Sequence, residues 1–583
     1  MAVLRTTSWR RCATLFFVVT AIAAAPDDKS APSTPAVPLA AQPANDATAK
    51  PGRSSKTIIA PSLTSDAIDD MLEASFKTAK IVPAKLIGDE EFIRRATLDV
   101  TGKLPSPKQV IAFRQDKNKS KRAELIDSLL ASPDFARNSA RYWKDVVQYR
   151  ATAMNPAFVR FPNLEDWLAD AFQKNRPWDE MAVDLMTSAG DTNDNGAAAF
   201  VAAHMGEAVE VAGEVSRIFM GIQIQCAQCH DHPTDPWKRE QFHEFAAFFG
   251  GVAARRGAVK KKLEDGILPS YTVVDRKGAV NYRMPDLKDP QKQIPIAPKF
   301  FLTSSEIPAS KSLNSEDRRA LAASFVASQD NPWFAKAFVN RVWYSLLGEG
   351  FVNPVDDIGP TREASNPEVF DALSSSWAEG GYDVRWLYRT ILNSRTYQRE
   401  FRSVNTASGK TPFAANCPSR LRADQILDAL SHALNIQFDQ AGGLNKKGMP
   451  DNKAGNAQKI AAAAMRLRGG PRNIFNLTFG VDPSTPNDEV LGTIPQALFM
   501  MNSPQIDRAI RGPRGTVLTE ILASAPNERA ALEAIYLRVL ARSPTPDEVR
   551  TCGKYLQSTP NHREAFEDVL WALVNSTEFL SRK

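Results

Sequence analysis

The most informative stretch of the sequence is Ile222-Gln223-Ile224-Gln225-Cys226-Ala227-Gln228-Cys229-His230-Asp231-His232-Pro233-Thr234-Asp235-Pro236-Trp237. This stretch contains two of the five cysteines and two of the six histidines in 583 residues. Cys226, Cys229 and His230 have the Cys-x-x-Cys-His spacing that is typical of covalent haem attachment. Coincidence is a poor explanation for such a concentration of rare residues.

Three chemistries use this spacing, and they differ in what becomes of the two sulfurs. In haem attachment, Cys226 and Cys229 form thioethers with the vinyl groups, and His230 supplies an imidazole nitrogen to the iron. In a zinc site, two thiolates occupy part of a tetrahedron that His230 or His232 helps to complete. In a disulfide, the cysteines staple the chain in an oxidising compartment, and the histidines only cap the next turn. The spacing favours haem c and leaves zinc and the disulfide open.

The composition is that of an ordinary globular protein with more than one domain. Hydrophobic residues make up 43% of the chain and charged residues 24%. A length of 583 residues is too great for one core and predicts two or three domains. Removal of three leader arginines would lower the formal net charge from +6 to +3, which is too weak to indicate a nucleic-acid partner.

The beginning of the chain has the features of a secretory signal peptide. Met1–Ala25 starts with basic residues, continues with an apolar run and ends with small residues that suit cleavage. The apolar run is too short to span a bilayer comfortably, so we expect no transmembrane segment beyond the leader. Residues 26–60 are rich in Ala, Pro, Ser and Thr and predict a disordered tether. The mature protein is therefore expected to be periplasmic or extracellular, where covalent haem attachment and stable disulfides both belong.

Helix-start signals recur through the remaining chain. Ser106-Pro107, Ser132-Pro133 and Asn331-Pro332 each place an N-cap residue before a first-turn proline. The aromatic residues at helical spacing are expected to pack a core. These patterns predict a mostly α fold with two multi-helical domains, the first at residues 61–251 with the Cys-x-x-Cys-His motif and the second at 314–583.

A connector at residues 252–313 separates the two predicted domains. Tyr271–Val274 and Ala279–Tyr282 flank a polar turn that contains Gly278, and this pattern predicts a small β-hairpin. Before the motif, Glu207–Gln225 is predicted to form a helix that leads directly into Cys226. After the motif, a helix over Lys238–Phe249 is expected to bring its phenylalanines back over the cysteines.

Two adjacent carboxylates, Asp356 and Asp357, are the strongest polar feature of the second half. We expect a structural ion pair with Arg341 or Arg389, and a catalytic or cation site is the alternative. A hydrolase that uses the two aspartates is a weaker hypothesis. The chain has no Gly-x-Ser-x-Gly, His-Glu-x-x-His or Walker-type loop.

The remaining cysteines of the mature chain, Cys417 and Cys552, have no histidine near them in sequence. We therefore expect both to be structural and not catalytic. They would form a disulfide only if the fold brought them close together.

Motifs on both sides of the connector match those of a known pair of domains. They are Phe92–Arg95, Gly221–Pro233, Phe338–Trp343, Pro354–Asp357 and Gln496–Asn502. On these residues the chain resembles planctomycete-type secreted proteins, in which a cytochrome-c-like (PSCyt) domain of unknown function precedes a planctomycete-specific (PSD) domain of unknown function. The resemblance implies this two-domain arrangement, and it supplies neither a substrate nor a reaction.

One departure from the resemblance limits what it implies. Similar proteins often carry two cysteines shortly before the Gln-Ala-Leu segment, where this chain has Val481–Thr485. Any cofactor or disulfide role that depends on those cysteines does not carry over to this chain.

The first functional hypothesis is an exported protein that binds haem c and has an electron-transfer or redox role. Its partner would be an unidentified redox partner or an extracellular substrate. The alternative is a metal- or disulfide-stapled, non-enzymatic binding protein of the cell envelope. Haem would need a second axial ligand, for which Met284 lies at a plausible downstream distance. Further candidates for that ligand are Met205, Met220, His204 and His243.

Overall fold

The computed structural model of the chain describes residues 62–151, 161–256, 262–263, 266–267, 270–278, 280–289, 291–303, 305–306, 313–402, 407–436, 470–487, 492–512 and 514–582. The predicted leader and tether lie outside these residues. Within the described ranges, no helix is long and apolar enough to cross a membrane.

Helices dominate the described residues, which confirms the prediction of a mostly α fold. In the first half the helices are α1 (Ser65–Ala79), α2 (Asp89–Thr101), α3 (Pro107–Gln115), α4 (Lys121–Ala131), α5 (Pro133–Gln148), α6 (Pro162–Gln173), α7 (Trp178–Thr187), α8 (Ala199–Ala203), α9 (Ala208–Val215) and α10 (Arg239–Ala246).

The second half is also helical, and its helices continue to the end of the described chain. They are α11 (Ser315–Val326), α12 (Pro332–Leu347), α13 (Pro367–Glu379), α14 (Val384–Asn393), α15 (Ala407–Lys410), α16 (Ala423–Leu434), α17 (Gly470–Phe479), α18 (Ile494–Asn502), α19 (Pro504–Arg511), α20 (Val517–Ser524), α21 (Glu528–Leu540), α22 (Pro546–Ser558) and α23 (His562–Val574).

Side-chain caps start several helices at the positions that the sequence predicts. The Ser106 hydroxyl accepts the backbone N–H of Gln109, and the Gln109 side chain accepts the backbone N–H of Ser106, so α3 begins with a capping box. Ser132 caps α5 and Asn331 caps α12 in the same general way. Asn366 differs, because it has a φ of 55° and its side chain makes no cap hydrogen bond to α13.

Short antiparallel pairs make up the strand content of the described residues. Strand β5 is central in the largest sheet, between β1 and β2. The strands are β1 (Gly190–Asp191), β2 (Val252–Arg256), β3 (Lys262–Leu263), β4 (Gly266–Ile267), β5 (Tyr271–Asp275), β6 (Tyr282–Pro285), β7 (Gln293–Ile296), β8 (Lys299–Phe300) and β9 (Ser305–Glu306).

The hairpin predicted from Tyr271 to Tyr282 is wrong in its pairing. Strand β5 pairs with the preceding β2, whereas β6 pairs with β7. The reason lies at Asp275, the last residue of β5. Its carboxylate accepts hydrogen bonds from Arg319 at 3.0 Å and from Ser315 at 2.6 Å, both on α11. These bonds fix the end of the strand against a helix, and the chain leaves the sheet there.

Aromatic side chains form the centre of the main core. Trp143 of α5 stacks on Phe338 of α12 with ring centroids 5.2 Å apart, and Phe338 stacks on Trp377 of α13 at 4.6 Å. Trp178 of α7 joins them, 4.3 Å from Trp143. All four side chains are buried, which confirms the predicted packing role of the aromatic residues. Helices from both predicted domains therefore share this core.

A second core is formed mainly by the C-terminal helices, and α2 connects it to the start of the folded chain. Leu98 of α2 is fully buried in this second core beside residues of α16 and α21. Arg94, also on α2, donates to the backbone carbonyls of Leu540 at 3.1 Å and Glu578 at 2.8 Å. The first and last parts of the described chain are thus held together.

Candidate functional site

The helix predicted for Glu207–Gln225 ends early. A π-helical turn, Ser216–Met220, follows α9, and Gly221 then takes a left-handed conformation with a φ of 63°. A Cβ at position 221 would lie 2.6 Å from Cγ1 of Ile358, so both the φ angle and the close packing require glycine. The chain therefore enters the cysteine motif through a turn and not from a continuous helix.

The two motif cysteines lie on a short 3-10 turn, Ile224–Gln228, and its C-cap residue. Ile224 and Ala227 are fully buried and anchor the turn to the core. Cys226 and Cys229 are exposed, and both are free thiols. The alternation of buried and exposed residues holds the backbone in place while both sulfurs remain accessible from solvent.

His230 is exposed, and its ring is oriented by the next residue in the chain. Nδ1 of His230 lies 2.6 Å from the backbone carbonyl oxygen of Asp231. Because a carbonyl oxygen only accepts, this hydrogen bond places the proton of the neutral imidazole on Nδ1. Nε2 then keeps its lone pair, which is the arrangement that an imidazole needs to bind a metal through Nε2.

Asp231 has a structural role at the start of α10. One carboxylate oxygen accepts the backbone N–H of Arg239 at 3.1 Å, and the other accepts Lys238 Nζ at 2.9 Å. The hydrogen bond from Lys238, together with that from Arg239, lowers the pKa of Asp231. The ionised side chain therefore suits the amino end of a helix.

His232 also has a structural role. Its side chain is 6% exposed, and Nδ1 accepts the backbone N–H of Asp235 at 2.9 Å and of Thr234 at 3.3 Å. In the neutral ring the proton must then be on Nε2, so the lone pair needed for a metal is already used inside the turn. This geometry does not match the predicted zinc-ligand role of His232.

Helix α10 contacts the cysteine turn directly, and strand β6 contacts α10. His243 Nε2 lies 3.1 Å from the carbonyl oxygen of Gln228, and His243 Nδ1 lies 2.8 Å from the Tyr282 hydroxyl. The carbonyl must accept, so Nε2 donates to it and Nδ1 accepts from Tyr282. Burial lowers the pKa of His243, which favours this neutral form. A continuous hydrogen-bonded chain therefore connects β6 to the residue before Cys229.

Met284 lies on the same strand as Tyr282. Its side chain is 3% exposed, and its sulfur accepts a hydrogen bond from Arg239 Nη1 at 3.5 Å. Arg239 and His243 are four residues apart on α10, while Tyr282 and Met284 are two residues apart on β6. Each pair therefore lies on one face, and the two faces pack together.

A loop of the second predicted domain, residues 353–362, lies against both ends of the motif segment. We call it the clamp loop. The backbone N–H of Ile358 donates to the carbonyl of Gly221 at 2.7 Å. On the other side of the cysteines, the Thr361 hydroxyl donates to the carboxylate of Asp235, and Arg362 Nη2 lies 3.9 Å from it.

A buried ion cluster connects the clamp loop to the π-helical turn. Arg217 donates to Glu214 at 2.5 and 3.0 Å and to Asp356 at 2.7 Å. The Asp356 side chain is 1% exposed, and Arg341 Nη2 lies 3.8 Å from it. Gln223 Nε2 also donates to Asp356 at 3.1 Å. The predicted ion pair between Asp356 and Arg341 is confirmed in this cluster.

The charge state of Asp356 follows from its surroundings. Burial by itself raises the pKa of Asp356, but the guanidinium groups of Arg341 and Arg217 offset this effect, and the net pKa is lowered. An ionised, fully engaged carboxylate is a counter-ion and not a proton donor. Arg389 is not a partner of this cluster, because it pairs with Asp127 at 2.5 Å.

Comparison with protein-family models identifies two domains in the chain. Residues 67–254 match the family PSCyt2, a protein of unknown function (DUF1549), and residues 317–556 match PSD1, a protein of unknown function (DUF1553). Residues 67–254 therefore form a PSCyt2 domain, and residues 317–556 form a PSD1 domain. No curated protein and no solved structure matches the chain. The predicted resemblance is thereby confirmed.

The two domains contribute jointly to the candidate site. The cysteine turn belongs to the PSCyt2 domain, and the clamp loop with Asp356, Asp357 and Arg362 belongs to the PSD1 domain. Sequence reasoning identified the motif and the two aspartates separately, but it missed their contact. It also missed Arg217 and Asp235, for which the only signal was a polar residue beside an apolar run or a proline.

The position of the cysteine pair missing from this chain lies close to the ion cluster. Ser484 is 6% exposed, and its hydroxyl accepts from Arg217 Nη1 at 3.2 Å. Asp482 pairs with Arg150 at 2.8 Å. Ser484 therefore contacts the same arginine that holds Glu214 and Asp356, whereas Asp482 contacts Arg150.

The other predicted ligands lie inside the PSCyt2 core. His204 and Met220 are fully buried, and burial lowers the pKa of His204 to about 4. Met205 is half-buried and has a φ of 55°. Among the described residues, no group of three or more His, Cys, Asp and Glu side chains is arranged to hold a metal ion.

Cys417 and Cys552 are both free thiols, so the fold does not join them in a disulfide. Cys417 is 2% exposed, and burial raises its pKa. Cys552 is half-buried beside the second core, where burial also raises its pKa. Both environments disfavour the reactive thiolate.

A groove of about 200 Å³ lies next to the clamp loop in the PSD1 domain. It combines apolar and aromatic side chains with two basic groups and one acidic group. The lining residues are Trp333, Lys336, Val352, Ile358, Gly359, Pro360, Arg362, Ala364, Pro367, Phe370 and Asp371.

Proposed function

We propose that this chain is an exported c-type haem protein with an electron-transfer or redox role. Cys226 and Cys229 would hold the haem through thioether bonds, and His230 would be its proximal ligand. When bound, haem c supplies a one-electron redox couple. The chain's own residues hold the cofactor, orient its histidine and fix the backbone of the turn.

The observation that carries the proposal is the division of roles after the second cysteine. Asp231 caps α10, and His232 is buried as a hydrogen-bond acceptor within its own turn. His230 alone of these three is exposed with Nε2 able to bind a metal. The thiols of Cys226 and Cys229 are also exposed. The three groups that haem attachment uses are therefore accessible, while Asp231 and His232 have structural roles.

The residues present fit haem c better than zinc. A structural zinc ion takes four nitrogen or sulfur ligands in a tetrahedron. Cys226, Cys229 and His230 would supply three, and His232, the natural fourth, directs Nδ1 to backbone N–H groups. Haem c needs only two thiols and one imidazole from this segment.

The second axial ligand stays a prediction. Met284 would have to release the hydrogen bond from Arg239 and leave a site where it is 3% exposed. We propose that Met284 serves only if β6 moves away from α10. His243 would have to release both Gln228 and Tyr282 before it could act as a ligand.

The compartment and partner are parts of the same proposal. The basic and apolar leader Met1–Ala25 supports export to the periplasm or beyond, where haem is attached to Cys-x-x-Cys-His motifs. An electron carrier needs a redox partner or an oxidisable extracellular substrate. The exposed position of Cys226, Cys229 and His230 would bring one edge of the cofactor within reach of either.

The test is co-expression of the full-length chain with a haem-c maturation system, followed by absorption spectroscopy of the exported protein. We expect a haem spectrum that is lost in Cys226→Ser and Cys229→Ser and altered in His230→Ala. Cys552→Ser is the matched control, because this thiol is half-buried and outside the motif. A colourless protein with one zinc ion, or with a Cys226–Cys229 disulfide, would instead support the stapled binding protein.

A further inference from the structure

We infer that the PSD1 domain positions the cysteine motif of the PSCyt2 domain, with Asp235 and Thr361 as the positioning residues. The inference rests on the proposed function only in naming haem as the group that the positioned turn carries. It gives the PSD1 domain a role in the same site, which neither family description assigns.

The first observation is the position of the two contacts along the chain. The clamp loop, residues 353–362, binds Gly221 before the cysteines through the backbone N–H of Ile358 at 2.7 Å. It binds Asp235 after the cysteines through the Thr361 hydroxyl. The segment from Cys226 to His230 therefore lies between two points that are fixed by the same loop of the other domain.

The second observation is the burial of Asp235 within an exposed turn. Its side chain is only 4% exposed, although Pro233, Thr234 and Pro236 are exposed. Such burial of a carboxylate requires partners. Here the partners are the Thr361 hydroxyl and the Arg362 guanidinium, both on the clamp loop.

The third observation connects Asp235 back to the motif. The backbone N–H of Asp235 donates to His232 Nδ1 at 2.9 Å, and Asp235 Oδ2 lies 3.5 Å from the same nitrogen. The backbone N–H of His232 in turn donates to Trp237, the 8% exposed residue that closes the turn. A displacement of Asp235 would therefore move His232, two residues from His230.

The clamp loop is itself held in place, so it can serve as a reference point. Asp357 accepts two hydrogen bonds from Arg362, at 2.8 and 3.2 Å. Its neighbour Asp356 accepts from Arg217 at 2.7 Å inside the buried cluster. Two adjacent carboxylates therefore stabilise the loop. Asp357 orients Arg362, which lies beside Asp235, and Asp356 binds Arg217 of the π-helical turn.

The experiment uses the full-length chain with and without haem, and it compares Thr361→Val with Thr361→Ser. Valine removes the hydroxyl at nearly constant volume, and serine restores it. Asp371→Asn is the control, because this exposed acid lines the neighbouring groove, pairs with Lys336 and lies outside the clamp loop. The first measurement is the hydrogen-exchange rate of the backbone N–H groups of His232 and Asp235 in the haem-free protein, which donate to the Trp237 carbonyl and to His232 Nδ1. The second is the reduction potential and spectrum of the haem-loaded protein.

We expect Thr361→Val to raise the exchange rate of these two N–H groups by about tenfold, as for loss of one charge-assisted hydrogen bond that resists local opening, and to shift the reduction potential. Thr361→Ser and Asp371→Asn should match the wild type in both measurements. Equal rates and potentials for Thr361→Val and the wild type would overturn the inference. If the chain never takes up haem but the exchange rates change as expected, the positioning role of the clamp loop stands and the haem proposal fails.

A structural readout separates positioning from general loss of stability. Thr361 is exposed, so its variants are expected to keep the fold, and urea unfolding should give midpoints close to that of the wild type. A rate increase that appears only together with a large loss of global stability would contradict the positioning role.

Discussion

The backbone N–H of Ile358 donates to the carbonyl of Gly221 across 2.7 Å, and the Ile358 side chain covers the same glycine. This contact joins the PSD1 domain to the residue at which the π-helical turn ends. It requires a left-handed φ of 63° and no side chain at position 221. The entry to the cysteine motif is therefore fixed by both domains.

Gly221→Ala should lower the free energy of unfolding by about 2 to 4 kcal/mol, because alanine disfavours this φ and its Cβ would overlap Ile358. Gly553→Ala is the matched control. Gly553 lies within α22, and a Cβ there would meet no atom within 4 Å, so alanine should be neutral or slightly stabilising. Urea unfolding of both variants measures the difference, and equal stabilities would contradict the tight contact.

Asp356→Ala should lower the free energy of unfolding by about 3 to 5 kcal/mol. The substitution removes the carboxylate that lies between the buried guanidinium groups of Arg217 and Arg341. Asp371→Ala removes an acid from an exposed pair with Lys336 and should cost less than about 1 kcal/mol. Denaturant unfolding at neutral pH tests both values. A similar small loss in the two variants would mean that the buried cluster is not a structural element.

Local signals in the sequence predicted much of the helical fold. Ser106-Pro107 and Ser132-Pro133 start helices where expected, because an N-cap hydroxyl and a first-turn proline act through neighbouring backbone atoms. The end of α12 at Gly348 follows from the same kind of local chemistry. Such features need no knowledge of the rest of the chain.

The features that the sequence could not predict depend on contacts between residues that are far apart in the chain. Strand β5 pairs with β2, and Arg319, 44 residues further along the chain, holds Asp275 at the end of β5. The helix before the motif ends at a left-handed glycine, Gly221, and sequence reasoning missed that Ile358 from the other domain packs against it. The cysteine spacing was visible in the sequence, whereas Asp235 gained its importance only from its contact with Thr361.

Acid should destabilise the protein in part through His204. Burial lowers its folded-state pKa to about 4, below the ordinary value of 6.5, so the unfolded chain binds the proton more tightly. The contribution of neutral His204 to the free energy of unfolding is fully present above pH 6.5, and it decreases as the pH falls toward 4. Between pH 7 and pH 5 the loss should be about 2 kcal/mol.

The check is urea unfolding of the wild type and His204→Gln at pH 7 and pH 5. Between pH 7 and pH 5, the free energy of unfolding of His204→Gln should decrease by about 2 kcal/mol less than that of the wild type, because glutamine does not titrate. Equal pH dependence in His204→Gln and the wild type would contradict the role of His204.

Thiol reactivity should separate the cysteines into two classes. In the haem-free native protein, a thiol reagent should modify Cys226 and Cys229 rapidly, since both are exposed. Cys417 is 2% exposed and should react only on unfolding, and the half-buried Cys552 should react more slowly than Cys226 and Cys229, because burial raises the pKa of both thiols. Peptide mapping after timed alkylation measures this order, and rapid native labelling of Cys417 would contradict its burial.

The most direct test of haem attachment is the mass of the exported protein, matured with a haem-c system, after acid–acetone extraction. This treatment removes haem that is not covalently bound. We expect the peptide with Cys226, Cys229 and His230 to retain the mass of one haem, and the Cys226→Ser, Cys229→Ser double variant to retain none. An unmodified peptide from the fully matured wild-type protein would contradict covalent haem binding at this motif.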